Sequence, residues 1–197
     1  MTGGAGTTAL ILASASPRRL DLLRQIGLVP AEVDPAHIDE TARPRELPAD
    51  YAKRIALAKL DEVAKRHGRC KFILAADTVV ACGRRILPKT EDAASARNCL
   101  ELLSGRRHRV LGGIALQAPD GKRLTRLVST TVAFKRLSKA EIERYIAGGE
   151  WHGKAGGYAV QGKAAAFVSF ISGSYSNVVG LSLYDVTAML AGFGVEI

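Results

Sequence analysis

Apolar positions fall in short blocks along this chain, and their spacing switches between period 2 and period 3.6. "ALILAS" (9–14) is a continuous apolar run that predicts a short buried strand. A helix is predicted from Pro17 to Ile26, with Leu20, Leu22, Leu23 and Ile26 on its apolar side. Ser16 suits its N-cap, Pro17 its first position and Gly27 its end. Residues 30–48 are polar and proline-containing, a connection long enough to suggest a functional loop. A second helix runs from about Ala49 to His67, closed by Gly68. "KFILAADTVVAC" (71–82) is apolar on both faces and reads as a central strand. A helix follows over 90–105, with a threonine cap and a Ser-Gly exit.

Residues 108–117 and 122–136 alternate as two strands, joined by the turn "PDG" (119–121). "SKAEIERYIAGG" opens with the capping-box pair Ser138 and Glu141. The segment 148–162 is too rich in glycine for regular structure and predicts a shaped loop. A last strand is expected at 164–172 and a closing helix at about 182–190. Helix-linked strands interrupted by a hairpin make an α/β fold with a mixed sheet flanked by helices. The chain shows neither an internal repeat nor a linker, and its 197 residues suit one domain. Residues 1–8 read as a flexible Gly/Thr tail.

Composition narrows the class. No apolar run reaches the roughly 18–20 residues of a membrane span. The N-terminus lacks a positively charged lead, so a cytoplasmic protein is expected. Cys70, Cys82 and Cys99 are widely spaced and form no C-x-x-C, which fits buried free thiols. His37, His67, His108 and His152 show no ligand spacing, which argues against zinc. The net charge of +9 favours an anionic partner. Scattered basic residues and 6% aromatics do not resemble a nucleic-acid surface, so no stable nucleic-acid complex is expected.

A few charged residues stand where charge is costly. Arg18 and Arg19 lie in the first turn of a helix, where cations cost about 0.3–1 kcal/mol each. They are either solvated, or they combine with the helix N-terminus into a phosphate cradle. Asp77 interrupts an otherwise apolar strand. It is either bonded to a backbone turn, or it is a general base or metal ligand. Lys59 falls on the apolar stripe of its helix, between Ile55 and Val63. It either snorkels or points into a phosphate site. Glu40, Lys89 and Lys154 sit in loops or turns, and each alone reads as surface. Together, loop cations and two acids suit chemistry on a polyphosphate with Mg²⁺ or Mn²⁺.

The motifs "LASASPRR", "IDET", "AADTVV", "ILPKTEDA", "LSGRRHRV", "GEWHGKAGGYAVQG" and "GSYSNVVGL" occur in this order. In them the chain resembles the Maf family of nucleoside triphosphate pyrophosphatases, from about Leu10 to the last helix. The resemblance implies an elongated α/β fold with two lobes around a central cleft, similar to inosine triphosphate pyrophosphatases. It implies hydrolysis of a nucleoside triphosphate to monophosphate and pyrophosphate with a divalent metal, and a homodimer. It makes Asp77 the proton acceptor, and Arg18, Arg19, Lys59, Lys89 and Lys154 the phosphate-binding cations. Glu40 and Asp77 become the metal ligands. Arg18, Thr78 and Gln161 become the base-selecting residues, in the combination of the dTTP/UTP branch rather than the 7-methyl-GTP branch. The chain departs from the family at three places. The family often has Lys-Pro at Lys89-Thr90, Thr where Gly112 or Gly113 falls, and Pro at Ser182.

Overall fold

The computed structural model describes residues 9–67 and 71–196. The tail 1–8, the helix stop Gly68 and Cys70 lie outside the described residues. The fold is mixed α/β, built on one large sheet with helices against its faces. Strand β1 (Leu10–Leu12) is fully buried and pairs in parallel with β2 (Glu32–Val33) and with β3 (Phe72–Cys82). Strand β3 also pairs antiparallel with β4 (Arg85–Leu87) and with β6 (Arg107–Gln117). The hairpin of β6 and β7 (Arg123–Phe134) turns at Gly121, whose φ of 85° suits glycine. Strand β9 (Val168–Ser172) closes the far edge. The order across the sheet is β2-β1-β3-β6-β7-β9, with β4 added against β3.

Alternation along β3 explains how its two faces are covered. Ile73, Ala75, Val79 and Ala81 share one face with Asp77, and pack toward α2 (Pro48–His67) with Ala52, Ala56, Leu60 and Val63. Leu74 and Ala76 share the other face with Thr78. They pack with Leu22 and Leu23 of α1 (Pro17–Gln25) and with Val186, Met189 and Leu190 of α6 (Leu183–Ala191). Farther along the sheet, Val80, Val110 and Val132 join α3 (Ala93–Leu103) and α4 (Lys139–Ala147) in a separate apolar cluster. The core is therefore divided, and β3 and β6 contribute to every part of it.

Several expectations need correction. The threonine is not the cap of α3: Asp92 accepts from the Ser95 backbone N–H at 2.8 Å, and the helix starts at Ala93. Thr90 instead lies buried in β5 (Lys89–Thr90), and its hydroxyl donates to the Trp151 carbonyl at 2.7 Å. The segment 148–162 contains a two-residue strand, β8 (Lys154–Ala155), paired with β5. The first half of the expected last strand is a 3₁₀ helix over Lys163–Phe167, because Ala164 and Phe167 turn into the core and the alanine run lacks β-branched residues. Helix α5 (Tyr175–Val179) has no counterpart among the expected elements; one turn and a half is too short for a periodic signal. Ser16 holds the N-cap position of α1, but its side chain makes no capping bond. Ser182, at a position where proline is common in the resembling family, caps α6 by accepting from the Asp185 backbone N–H. No described helix is long and apolar enough to cross a membrane.

Candidate active site

A cleft of about 470 Å³ opens where β1 hands over to α1, and it reaches β3, β5, the glycine-rich segment and the end of α5. Arg18, Arg19, Glu40, Lys59, Asp77, Thr78, Lys89, Lys154 and Gln161 all line it. All nine residues singled out from the sequence are thus brought to one cavity. Five cations there meet two carboxylates, an excess that suits a polyphosphate.

The acids converge on one nitrogen. Lys59 Nζ lies 2.8 Å from Asp77 Oδ1 and 2.9 Å from Glu40 Oε1, and Lys89 Nζ holds Glu40 Oε2 at 2.6 Å. Asp77 is 3% exposed and Lys59 6%, so this pair is buried. The stripe reading of Lys59 holds, with Ala52, Ile55, Ala56 and Val63 buried beside it, and the side chain is aimed at carboxylates rather than at solvent. Burial works to raise the Glu40 carboxyl, but bonds from Lys89 and Lys59 outweigh it and hold the group below its ordinary range.

Glu40 is carried by a long loop, and α2 pins that loop. Tyr51 donates its hydroxyl to the Glu40 carbonyl at 2.7 Å. Arg54 grips both oxygens of Glu46 at 2.6 and 2.7 Å and donates to the Thr41 carbonyl. Burial, reinforced by the charges of Asp77 and Glu40, pushes the Tyr51 hydroxyl up to about 12, so it remains a donor. Sequence reasoning missed Tyr51 and Arg54, although their spacing of three places them on one face of the helix.

Arg18 and Arg19 divide the work expected of them. Arg19 is 8% exposed. Its Nε donates to the Gly180 carbonyl at 2.9 Å, Nη1 to Ser14 Oγ at 2.9 Å and Nη2 to Thr78 Oγ1 at 3.1 Å. Three of its five N–H groups are therefore committed inside the protein, leaving two for a ligand. Arg18 is only partly buried, and burial lowers its guanidinium from the ordinary value. Burial and the charge of Arg18 likewise lower Lys154. The first turn of α1 contains no acid and no side-chain cap; Pro17 has no N–H, and the Arg19 N–H donates to the Ser16 carbonyl at 3.2 Å. Pairing of β5 with β8 sets Lys89 opposite Ala155 and Thr90 opposite Lys154, which brings the two loop lysines to one rim.

Beyond Asp77 the cleft has an apolar annex lined by Tyr51, Val79, Ile86, Leu87 and Pro88. Among the described residues no group of three or more His, Cys, Asp or Glu side chains could hold a metal. Two converging carboxylates still fit Mg²⁺ or Mn²⁺, ions that keep waters and bind through one or two carboxylates plus substrate phosphates. Among the described residues Cys82 and Cys99 form no disulfide; Cys99 is buried as expected, whereas Cys82, at the end of β3, is only partly buried.

A family model described as "Maf-like protein" matches residues 9–193. A dTTP/UTP pyrophosphatase of Paramagnetospirillum magneticum is 66% identical over 94% of this chain and 97% of its own. A dTTP/UTP pyrophosphatase of Rhodospirillum rubrum is 63% identical over 94% of this chain and 88% of its own. Among solved structures, a HAM1 protein from Coxiella burnetii superposes with a TM-score of 0.54 at 16% identity, covering 93% of this chain and 98% of that one. That likeness is one of fold.

Proposed function

The chain belongs to the Maf-like family, and we propose that it hydrolyses dTTP and UTP to the monophosphate and pyrophosphate. The observation that carries this reading is the convergence of Asp77 and Glu40 on Lys59, within a cleft of excess positive charge. Relatives named dTTP/UTP pyrophosphatase at 53–66% identity support the choice of substrate.

In this reading the triphosphate lies along the α1 N-terminus, held by Arg18, Lys154 and the two free N–H groups of Arg19. Asp77 takes the proton of the water that attacks the α-phosphorus, and the α–β anhydride bond breaks. Lys59 and Lys89 balance the charge that gathers on the departing pyrophosphate. Arg18, Thr78 and Gln161 face the nucleoside and select the base. Asp77 and Glu40 would hold Mg²⁺ or Mn²⁺, which supplies charge neutralisation on the phosphate oxygens.

The test is pyrophosphate release from dTTP, UTP, CTP, ATP and 7-methyl-GTP, with Mg²⁺, with Mn²⁺ and with chelator, alongside Asp77→Asn. Metal-dependent turnover of dTTP and UTP, lost in Asp77→Asn, is the expected result. Turnover of 7-methyl-GTP alone would overturn the assignment of the base. No turnover by the folded, metal-loaded protein would overturn the enzymatic reading.

A further inference from the structure

The motif "GSYSNVVGL" contributes Gly180 to the cleft, yet its asparagine is no part of the cavity wall. Asn177 is 1% exposed. Its Nδ2 donates to the Val110 carbonyl and to Thr130 Oγ1, both at 3.1 Å, so it ties α5 to β6 and β7. Thr130 passes the bond on, donating to the Ser174 carbonyl just before α5. The far end of the same short helix is Gly180, whose φ of 152° suits glycine. The Gly180 carbonyl accepts from Arg19 Nε at 2.9 Å and from Thr78 Oγ1 at 3.1 Å.

The seat that Asn177 occupies depends on the missing side chain at position 112. A Cβ built on Gly112 would overlap Asn177 Oδ1 and stand 3.2 Å from its Cγ. Gly112 pairs directly with Thr78 across β3 and β6, so both face the same side of the sheet. We propose that Gly112 and Asn177 form a matched pair of positioning residues: the missing side chain lets the amide dock, and the docked amide fixes the Gly180 carbonyl that orients Thr78 and Arg19. Neither residue touches the substrate. Their effect falls on nucleotide binding and base choice, because Asp77, Lys59 and α2 occupy the opposite face of β3. The inference rests on the nucleotide pyrophosphatase reading above.

The experiment compares wild type, Gly112→Ala, Asn177→Ala and Gly112→Ala/Asn177→Ala. For each, KM and kcat are measured with dTTP, UTP and CTP, and Tm by calorimetry. Gly112→Ala displaces the amide and with it α5. KM for dTTP and UTP is expected to rise about tenfold, since a misplacement of about 1 Å in a contacting group has effects up to 10²-fold. The preference over CTP shrinks, and kcat changes less than KM. The double variant removes the collision but also the bonds to Val110 and Thr130. It is expected to raise KM no further than Asn177→Ala alone, since the amide that fixes the Gly180 carbonyl is already gone, while Tm stays low. Independent roles predict the reverse, a double variant whose rise in KM is the product of the two single rises, and that result overturns the proposal. Equal losses in kcat and KM, or an unchanged CTP preference in Gly112→Ala, overturn it as well. If Gly112→Ala does not fold, Asn177→Ala and the double variant decide. Adding Gly112→Ala to Asn177→Ala is then expected to leave KM within about twofold, and a large further rise overturns the pairing. A wild type without activity on any nucleotide sinks the functional reading instead, which keeps the two failures apart.

Discussion

Replacing Lys59 by methionine removes a cation that touches both acids of the cleft while keeping the apolar stem. Asp77 Oδ1 at 2.8 Å and Glu40 Oε1 at 2.9 Å then lose their shared partner. At an effective dielectric near 20, each contact represents about 6 kcal/mol of gross Coulomb attraction. Most of that is offset by the desolvation of the ions. The net effect of stripping one partner from a buried pair is about 3–5 kcal/mol. Glu40 keeps Lys89 at 2.6 Å and is partly exposed, so the loss falls mainly on Asp77, which is 3% exposed.

The assay is a double-mutant cycle by urea unfolding with Lys59→Met, Asp77→Asn and both together. Lys59→Met alone is expected to lower stability by about 3–5 kcal/mol. The double variant is expected to lose at least about 2 kcal/mol less than the sum of the singles, because the uncharged amide introduced by Asp77→Asn no longer needs the cation. Mg²⁺ is expected to raise the Tm of Lys59→Met more than that of wild type, since the freed carboxylates gain a replacement charge. Additivity within about 0.5 kcal/mol, with no Mg²⁺ difference, would refute the reasoning.

Two further predictions concern the scaffold. A Cβ on Gly113, the partner of Asp77 on β6, would overlap the Ala52 carbonyl oxygen of α2 and lie 2.6 Å from its carbon. Gly113→Ala should therefore destabilise by about 1–3 kcal/mol as α2 is pushed outward, read from the urea midpoint; an unchanged midpoint would show that α2 shifts freely. His108 is 2% exposed, its Nδ1 has no hydrogen-bond partner among the described residues and its Nε2 meets the Tyr158 hydroxyl at 2.8 Å. Burial pushes its imidazole down to about 4, so the folded state keeps it neutral while the unfolded chain binds a proton below about 6.5. Stability present in full above pH 6.5 should fall by about 1.4 kcal/mol per pH unit on going down toward pH 4. His108→Phe keeps the edge contacts with Phe134 and Tyr158 and should remove this slope; equal slopes in the two proteins would contradict the assignment.

Much of the site is legible in the sequence because charge in an apolar context is conspicuous. Asp77 breaks a buried strand, Lys59 breaks a helical stripe, and the two bond each other in the structure. The helix and strand order is legible for a similar reason, since long periodic segments outweigh local exceptions. What stays hidden has a common character. Helix α5, β5 and β8 are too short to carry a period, and their existence depends on partners distant in sequence. Thr90 reads as a cap because threonine caps helices well, but a tertiary bond to Trp151 claims its hydroxyl and Asp92 takes over. The consequence of Gly112 cannot be read at all from its neighbours, because the group that needs the space comes from a helix more than sixty residues away.

The paired arginines show how a locally unfavourable choice becomes consistent at the level of the site. A cation in the first turn of a helix opposes the dipole, and two adjacent cations also repel each other. Arg19 escapes the conflict by turning inward, where Gly180, Ser14 and Thr78 supply three acceptors and Asp77 supplies opposite charge. Arg18 has no such internal remedy among the described residues, and its charge adds to burial in lowering Lys154. Both Arg18 and Lys154 are partly withdrawn from water, so their repulsion is screened less than that of surface charges. The arrangement is unfavourable for the empty protein and favourable once a polyanion lies between these groups. A stability-optimised sequence would replace Arg18 with an acid or a small polar residue, as a helix start ordinarily prefers. That this chain keeps the arginine, beside a helix N-terminus without a side-chain cap, is what the proposed polyphosphate site accounts for: a local rule broken where a bound polyanion would restore the balance.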